Sequence, residues 1–226
     1  MKLYDCFMFY DEKLLLEIRF NILNKFVDKF IITEANYLHN GDSKKLNFNI
    51  NDFNEFKNKI EYIVVDNQPE DIQLIGKEDN ELAIDEKKIS NSLKRENFQR
   101  EMISKGLTGL NKEDIILISD IDEIPNLIKL NPIEMNNEIV IFKQKMFYYK
   151  FNLFYENFNW FGSKAIKRKN FISPQWLRNI KNKKYHYWRV DKLLSKKKYL
   201  KSFSWLRNIK IKQYPFYRLD TYLSNT

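Results

Sequence analysis

The sequence predicts an α/β fold in which a largely parallel sheet is flanked by helices. The chain has 226 residues, 43% of them hydrophobic and 15% aromatic, which is enough for one sizeable core. Short apolar runs alternate along it with amphipathic stretches, the pattern of parallel strands joined by helices. Two of these runs lead into acids, Glu34 and Asp120, and ligands of such sheets bind at the carboxyl ends of the strands.

The first residues predict a strand, a helix and a second strand. Residues 3–9 form an apolar run, and Asp11 is placed to cap a helix that reaches about residue 26. The run KFIITEA at 29–35 predicts the second strand. The expected apolar face of the helix comprises Leu14, Leu15, Ile18, Ile22 and Leu23.

A polar segment follows the second strand, and Gly41-Asp42 marks a turn within it. Residues 53–60 predict a short helix, and IEYIVVD at 60–66 predicts the third strand. Residues 69–80 are expected to form a loop.

A long amphipathic helix is predicted over residues 81–105, with Gly106 and Gly109 to end it. The fourth strand is expected at 115–119, and residues 138–151 predict one or two more. Beyond Asn157 the periodic pattern weakens.

Basic residues concentrate in the last third of the chain. Between Asn157 and Leu219 there are 18 Lys and Arg and one acid, a net charge of +17, whereas the remainder has 21 basic and 29 acidic residues. We therefore divide the chain into an α/β core at 1–156 and a basic, aromatic region at 157–226 of the same globular unit. Such a region attracts anions such as nucleotides, nucleic acid, acidic lipid or polysaccharide, or else is a solvated lysine-rich face.

The basic region contains the hexamer WLRNIK twice, at 176–181 and 205–210. Two copies are too few for a repeat architecture. The hexamer has no functional interpretation from the sequence.

Cysteine use and hydropathy suggest a cytoplasmic protein. Cys6 is the only cysteine, which excludes both a disulfide framework and a cysteine-rich metal site. Every apolar run is much shorter than a membrane span, and the N-terminal residues meet an acid at Asp5, too early for a signal peptide. We expect a reduced, cytoplasmic setting.

The segment DIILISDIDEIPN at 114–126 carries the clearest chemical signal. Along an extended strand end, Asp120 and Asp122 point to the same side while Ile121 turns inward. Two carboxylates close together repel each other, and Mg²⁺ or Mn²⁺ binds one or two carboxylates together with phosphate oxygens. The pair therefore predicts a divalent-metal site for a diphosphate at the end of the fourth strand.

Several metal-dependent enzymes use such a pair. Haloacid-type phosphatases have Thr or Val two residues after their second Asp, where this chain has Ile124 after Glu123. Palm-type nucleotidyltransferases need an upstream Gly-Ser that this sequence lacks, and neither a Walker A motif nor GxGxxG is present. Nucleotide-sugar transfer fits best among these classes.

Three blocks of the sequence resemble glycosyltransferase family 17. They are the segment from YDCFMFYDEKLLLEIR to KKLNF, then ENFQREMISKGL, then DIILISDIDEIP, and the similarity covers most of residues 4–190. The resemblance implies a GT-A-like fold with a nucleotide-sugar-binding core, an inverting reaction and a nucleotide-sugar donor. The usual donor is UDP-GlcNAc with a divalent metal, and the best-known activity is β-1,4-N-acetylglucosaminyl transfer.

The resemblance also implies roles for residues at the strand ends. Asp120 and Asp122 match the DxD motif and would hold the metal, Mn²⁺ or Mg²⁺, and the donor diphosphate. Glu34 would bind donor ribose or base hydroxyls, or else cap the loop that follows it.

On the helices, Asn97, Gln99 and Arg100 match the N-x-Q-R block of the family. Asn97 and Arg100 would contact the donor. Arg100 would bind the phosphates of the donor, although a surface ion pair is an equal alternative for this residue. Glu17 and Arg19 match LLEIR and are expected to form a structural pair on the first helix.

Two C-terminal blocks depart from the family pattern. KYHYW at 184–188 makes His186 a candidate third metal ligand, although a single histidine is more often packed in the core. In KSFSW, Trp205 stands where the family has a histidine, so the acceptor region differs from its relatives.

The general base that an inverting reaction needs stays open. Asp191, the one acid of the basic segment, is slightly favoured, with Glu156 and Glu123 as alternatives. Trp160, Tyr187 and Trp188 could stack on sugar rings, although core packing is the commoner role of tryptophan.

The expected partners are a nucleotide-sugar donor and a glycan acceptor of the cell surface, with peripheral contact to an anionic membrane at its inner face. Three alternatives compete with active glycosyl transfer. The first is a protein that binds nucleic acid or another polyanion through the basic third, with nucleic acid the less favoured partner. The second is a metal-dependent phosphohydrolase. The third is a relative that binds sugar nucleotides without turnover.

Overall fold

The computed structural model describes residues 1–130, 135, 139–147 and 153–181, and the backbone of 211–217. Within these residues, eight strands form one mixed sheet and three α-helices accompany it, which confirms the predicted α/β class. The helices are α1 (Lys13–Leu23), α2 (Glu81–Glu101) and α3 (Pro174–Asn179). The strands are β1 (Leu3–Met8), β2 (Lys29–Ala35), β3 (Ile60–Val65), β4 (Ile115–Ile118), β5 (Ile139–Phe147), β6 (Phe154–Trp160), β7 (Lys164–Lys167) and β8 (Ile211–Tyr217).

The sheet has the strand order β3-β2-β1-β4-β7-β5-β6, with β8 beside β5. Strands β1 to β4 are mutually parallel, and β7 runs antiparallel between β4 and β5. The direction of strand progression reverses between β1 and β4, and such a switch point opens a crevice at the carboxyl ends of the strands. β6 crosses the predicted boundary at residue 156, and the sheet continues beyond it through β7.

Alternate residues of the strands supply two cores, one on each face of the sheet. Phe7 of β1 and Phe30 of β2 face α1, where Phe20 packs 4.6 Å from Phe30 between ring centroids. Cys6 and Ile31 face the opposite side, which is covered by α3 and by the 3₁₀ turn Met102–Leu107. Helices on both faces are the arrangement expected for buried parallel strands.

Helix α1 differs from its prediction in both its start and its buried face. It begins at Lys13 with Glu12 at the N-cap, and Asp11 does not cap it. Leu14 and Ile22, which were expected inside, are 54% and 42% exposed. The buried residues are Leu16, Arg19, Phe20 and Leu23. Because the buried face of α1 includes Arg19, the pattern of apolar residues alone could not identify this face.

The other elements that were predicted follow their predictions more closely. The predicted short helix at 53–60 is a 3₁₀ segment, Ile50–Lys59. Helix α2 ends at Glu101 and gives way to the 3₁₀ turn Met102–Leu107. Gly106 lies in that turn, where a Cβ would be 2.7 Å from Ile31. Across the described ranges, no helix is both long and apolar enough to cross a membrane.

Candidate functional site

A cleft of about 540 Å³ opens at the carboxyl ends of β1, β2 and β4. It lies at the switch point between β1 and β4, where α/β sheets bind ligands. One end of the cleft is aromatic and apolar, and the other is bordered by the acidic segment after β4. The lining residues are Met8, Phe9, Tyr10, Glu12, Leu15, Ala35, Tyr37, Leu38, His39, Lys44, Gln99, Asp120, Ile121 and Asp122.

The acidic segment Asp120–Glu123 is a tight turn. The amide of Glu123 donates to the carbonyl of Asp120 at 3.0 Å, so the chain turns at once instead of extending as predicted. Ile121 is buried, as expected. Asp120 and Asp122 both border the cleft.

Arg19 fixes this acidic turn from the side of α1. Its Nη1 donates to the carbonyl oxygens of Asp120, Ile121 and Glu123 at 3.0, 3.1 and 3.2 Å. Its other nitrogens bind Asp5 in a two-pronged pair at 2.7 and 2.5 Å, and both side chains are fully buried. The predicted pairing with Glu17 is wrong, because residues two apart on a helix point in different directions and Glu17 is exposed.

Arg178 of α3 fixes the side chains of the same turn. Its Nη1 and Nη2 donate to the two carboxylate oxygens of Glu123 at 2.6 and 2.9 Å, and Nη2 also bonds Oδ2 of Asp120. Arg100 of α2 approaches the other oxygen of Asp120 at 3.5 Å. Asp120 is therefore held between two guanidinium groups.

Glu123 is 1% exposed, and both of its carboxylate oxygens are fully engaged. Oε1 accepts from Nε1 of Trp160 at 2.5 Å, and Oε2 accepts from the amide of Asp120 at 3.0 Å. With the two bonds from Arg178, each oxygen accepts two hydrogen bonds. This placement favours a positioning role over the general-base role predicted for Glu123.

The pKa values of Asp120 and Glu123 are shifted in opposite directions by their surroundings in the turn. Burial and the nearby Glu123 raise the pKa of Asp120 to about 6, against the opposing effect of Arg178. A side-chain exposure of 36% is consistent with a carboxylate at the cleft wall. Burial alone would raise the pKa of Glu123, but Arg178 and the hydrogen bonds from Trp160 and the Asp120 amide outweigh it, so that pKa is lowered.

Glu34 lies beneath the loop that follows β2. Its buried carboxylate accepts from the amides of Asn47 and Phe48 at 2.7 and 3.0 Å and from the Tyr62 hydroxyl at 2.8 Å, and it pairs with Lys44. Burial, together with this bond to Glu34, raises the pKa of Tyr62. These contacts match the loop-capping alternative for Glu34, and they place its partner Lys44 at the cleft.

The N-x-Q-R block of α2 sends two side chains towards this edge. Gln99 lines the cleft and donates to the carbonyl of Thr33 at 3.0 Å. Arg100 is buried and also contacts Glu96 at 2.8 Å and Gln175 at 2.7 Å. Asn97 is half-buried and is not among the cleft residues.

The aromatic end of the cleft was not predicted from the sequence. Tyr10 follows β1, and Tyr37 and His39 belong to the loop after β2. Arg95 supports this loop by donating to the carbonyl of His39 at 3.1 Å. Gly41 allows the close approach, since its φ is +103° and a Cβ would be 2.6 Å from the Arg95 guanidinium. The Gly41-Asp42 turn was the one available signal.

The remaining candidates lie away from the cleft or outside the described residues. Glu156 is exposed on β6 and does not line the cleft. Trp160 uses its indole N–H on Glu123. Asp191 and His186 lie outside the described residues, as do Tyr187, Trp188 and Trp205.

The cleft residues can accommodate a divalent cation that arrives with a phosphorylated ligand. In the part of the chain that the structure describes, no three His, Cys, Asp or Glu side chains are grouped to hold a metal by themselves. Mg²⁺ and Mn²⁺ do not need such a group, because they bind through one or two carboxylates plus phosphate oxygens and water. Asp122 at the cleft wall, beside Asp120, meets that requirement.

Comparison with known families gives one match. The family model described as glycosyltransferase family 17 matches residues 1–216, which is nearly the whole chain. No curated protein and no solved structure matches the chain.

Proposed function

The chain belongs to glycosyltransferase family 17 and is a glycosyltransferase, and on that premise we propose that it transfers GlcNAc from UDP-GlcNAc to a glycan acceptor in a metal-dependent, inverting reaction. The proposal includes a GT-A-type arrangement of the donor site. The strand order β3-β2-β1-β4 supports it, since it places the ends of β1 and β4 side by side at a crevice.

The cleft is the observation that carries this proposal. Its volume of about 540 Å³ lies in the usual range for small-molecule sites. Tyr10, Tyr37 and His39 at one end suit a nucleobase and ribose, while Asp120 and Asp122 at the other end suit a metal-bound diphosphate.

In the proposed reaction, an acceptor hydroxyl oxygen forms a bond to the anomeric carbon while the bond from that carbon to the diphosphate breaks on the opposite face. The proton of the hydroxyl passes to a carboxylate base, and the diphosphate leaves with the electron pair. Asp120 and Asp122 would hold a divalent metal, which when bound would neutralise charge on the leaving diphosphate. Arg100, buried beside Asp120, adds a fixed positive charge at the same end of the cleft.

For the base, we retain Asp191 and Glu156 as candidates. Glu123 is the weakest of the three, because each of its oxygens already accepts two hydrogen bonds. The acceptor is proposed to be a cell-surface glycan, and the net charge of +17 between residues 157 and 219 supports an acidic one.

A donor panel tests the proposal. Thermal unfolding would be followed with UDP, UDP-GlcNAc, UDP-glucose and GDP, each with and without Mn²⁺. At 100 times Kd a ligand adds about 2.7 kcal/mol of stability, which is roughly a 5–10 °C rise in Tm for a chain of this size. We expect this rise with UDP and UDP-GlcNAc in Mn²⁺.

The matched variants are Asp122→Ala and Asp85→Ala. Asp85 is an exposed acid on α2, whereas Asp122 lines the cleft. We expect Asp85→Ala to respond like the wild type and Asp122→Ala to lose most of the shift. The proposal fails if no UDP-sugar stabilises the wild type, or if Asp122→Ala responds equally.

A further inference from the structure

We propose that Arg178 is a positioning residue of the donor site: it holds the Asp120 carboxylate at the cleft wall, and Glu123 in turn holds Arg178. The inference rests on the proposed function for the identity of the ligand, a nucleoside diphosphate. It adds α3 to the donor site, although α3 lines none of the cleft.

Arg178 reaches the acidic turn from a helix that is itself fixed. The side-chain oxygen of Ser173 caps α3 by accepting from the amide of Trp176 at 3.2 Å. Glu101 at the end of α2 accepts from the Ser173 hydroxyl at 2.6 Å and from the Gln175 amide at 3.1 Å. Leu177 is buried in the core beneath the sheet. The guanidinium is therefore delivered to the turn by a rigid support.

Glu123 is committed to holding Arg178. Burying a carboxylate costs several kcal/mol unless it is paired and hydrogen-bonded, and such pairs often add no net stability. The space for this carboxylate is reserved, because a Cβ on Gly162 would overlap it. The paired Glu123 carboxylate, which both terminal nitrogens of Arg178 contact, therefore fixes the position of this guanidinium.

The contacts run from Glu123 through Arg178 to Asp120, and Asp120 is the member that lines the cleft. Its Oδ2 is bonded by Arg178 and its Oδ1 is approached by Arg100, so its position depends on two cations from two different helices. Without Arg178, the carboxylates of Asp120 and Glu123 would face each other across a turn closed by a 3.0 Å bond, and they would repel. Asp120 would then leave its place at the diphosphate end.

A double-mutant cycle on UDP binding tests this dependence. The four proteins are the wild type, Arg178→Gln, Asp120→Asn and the double variant, each titrated with UDP in 1 mM MnCl₂ by calorimetry. If Arg178 acts through Asp120, each single change weakens UDP binding about tenfold, and the double change weakens it no further than about twofold beyond either single change.

Two more variants separate positioning from a general loss of structure. Arg178→Lys keeps the charge but loses the two-pronged geometry, and we expect an intermediate Kd. Arg168→Gln removes a half-buried arginine outside the cleft, and UDP binding should stay within twofold of the wild type. If Arg178→Gln does not fold, the same cycle with Arg178→Lys carries the test.

The outcomes are distinguishable. Losses that multiply in the double variant, or an Arg178→Gln variant that binds UDP like the wild type, overturn the positioning role and leave the donor assignment intact. A wild type that binds no UDP overturns the donor assignment and this inference with it.

Discussion

The three acids that follow β4 have different surroundings, although they lie within four residues of one another. Glu123 is buried among donors, Asp120 is shared between Arg100 and Arg178 at the cleft wall, and Asp122 lines the cleft. Their partners come from α1, α2, α3 and β6, so the spacing of the acids in the sequence could not assign the roles. At this scale the chemistry is determined by which arginine reaches which carboxylate.

Arg19 of α1 connects strand β1 to the acidic turn that follows β4. It bonds Asp5 on β1, the Ser119 hydroxyl at 2.5 Å and three carbonyls of the acidic turn, with no exposed surface. Its contacts give each of these carbonyls a charged hydrogen-bond donor, and its charge neutralises a buried carboxylate.

We predict that Arg19→Met lowers the unfolding free energy by about 3–5 kcal/mol, because removing one partner leaves a buried charge uncompensated. Asp5→Asn in the same chain should restore part of this loss, since it removes the unpaired charge. It should not restore all of it, because the hydrogen bonds from Arg19 to the three carbonyls and to Ser119 are still lost. Urea unfolding at pH 7 measures both values.

The prediction is contradicted if Arg19→Met stays within 1 kcal/mol of the wild type. It is equally contradicted if adding Asp5→Asn lowers stability further, since an independent role for Asp5 would then be the simpler account.

At the scale of elements, the sequence located the apolar strands well and the polar ones poorly. Strands β1 to β4 lie within one or two residues of their predictions, because each is a mostly apolar run. Strands β2 and β4 are buried almost throughout, whereas β3, at the edge of the sheet, is largely half-buried. Strand β7 was not predicted, because its sequence KAIK contains two lysines that are nevertheless buried. Lys164 bonds the carbonyl of Arg178 and Lys167 bonds Glu113, so tertiary partners decide a burial that composition argues against.

Helix α3 could not be assigned a role from its sequence either. It contains WLRN, the first four residues of the first copy of WLRNIK, a hexamer with no functional interpretation from the sequence. Arg178 is the arginine of that copy, and its partners lie 55 and 58 residues away in the chain. Contacts at that separation have no local signature, so the sequence singled out the carboxylates of the turn but not the arginine that binds them.

We predict that Gly162→Ala disrupts the acidic turn from the segment that joins β6 to β7. The new methyl group would overlap the Glu123 carboxylate, so that carboxylate must move away from Arg178 and Trp160. We expect a loss of about 2–4 kcal/mol of unfolding free energy, as for other broken buried networks, and weaker UDP binding. Thermal unfolding and calorimetric titration with UDP and Mn²⁺ measure the two effects.

Gly76→Ala is the matched control, since the atom nearest to its added Cβ would be 3.7 Å away. That change should be neutral or add up to about 1 kcal/mol, because alanine restricts the unfolded chain. Equal behaviour of the two alanine variants would show that Glu123 does not need the space at Gly162.

At the scale of the whole molecule, the family match and the strand order determine different properties, the class of reaction and the location of the proposed site. The match over residues 1–216 assigns the class of reaction. The strand order places the proposed site at one edge of the sheet, as the pattern of strands and acids had predicted. Neither identifies the buried charges near that edge, which link the site to global stability.

Lys164 is the buried charge through which the stability of the chain should depend on pH above neutrality. It is buried inside the sheet on β7, near Arg178 and the acidic turn. Burial, assisted by the nearby Arg178, lowers the pKa of its amine from 10.5 to about 7. In the unfolded chain the same amine is exposed to water and recovers its ordinary pKa.

Between pH 7 and about 10 the unfolded chain therefore holds a proton on Lys164 that the folded chain has released, so this residue makes the unfolding free energy rise with pH. The slope approaches about 1.4 kcal/mol per pH unit and vanishes below pH 6, where both states are protonated. Lys164→Met lacks this contribution, while the other groups titrate in both proteins. Urea unfolding at pH 6, 7, 8 and 9 should show the wild type gaining about 2 kcal/mol on the variant between pH 7 and pH 9. A difference that is constant over that range would mean that Lys164 stays protonated in the folded protein.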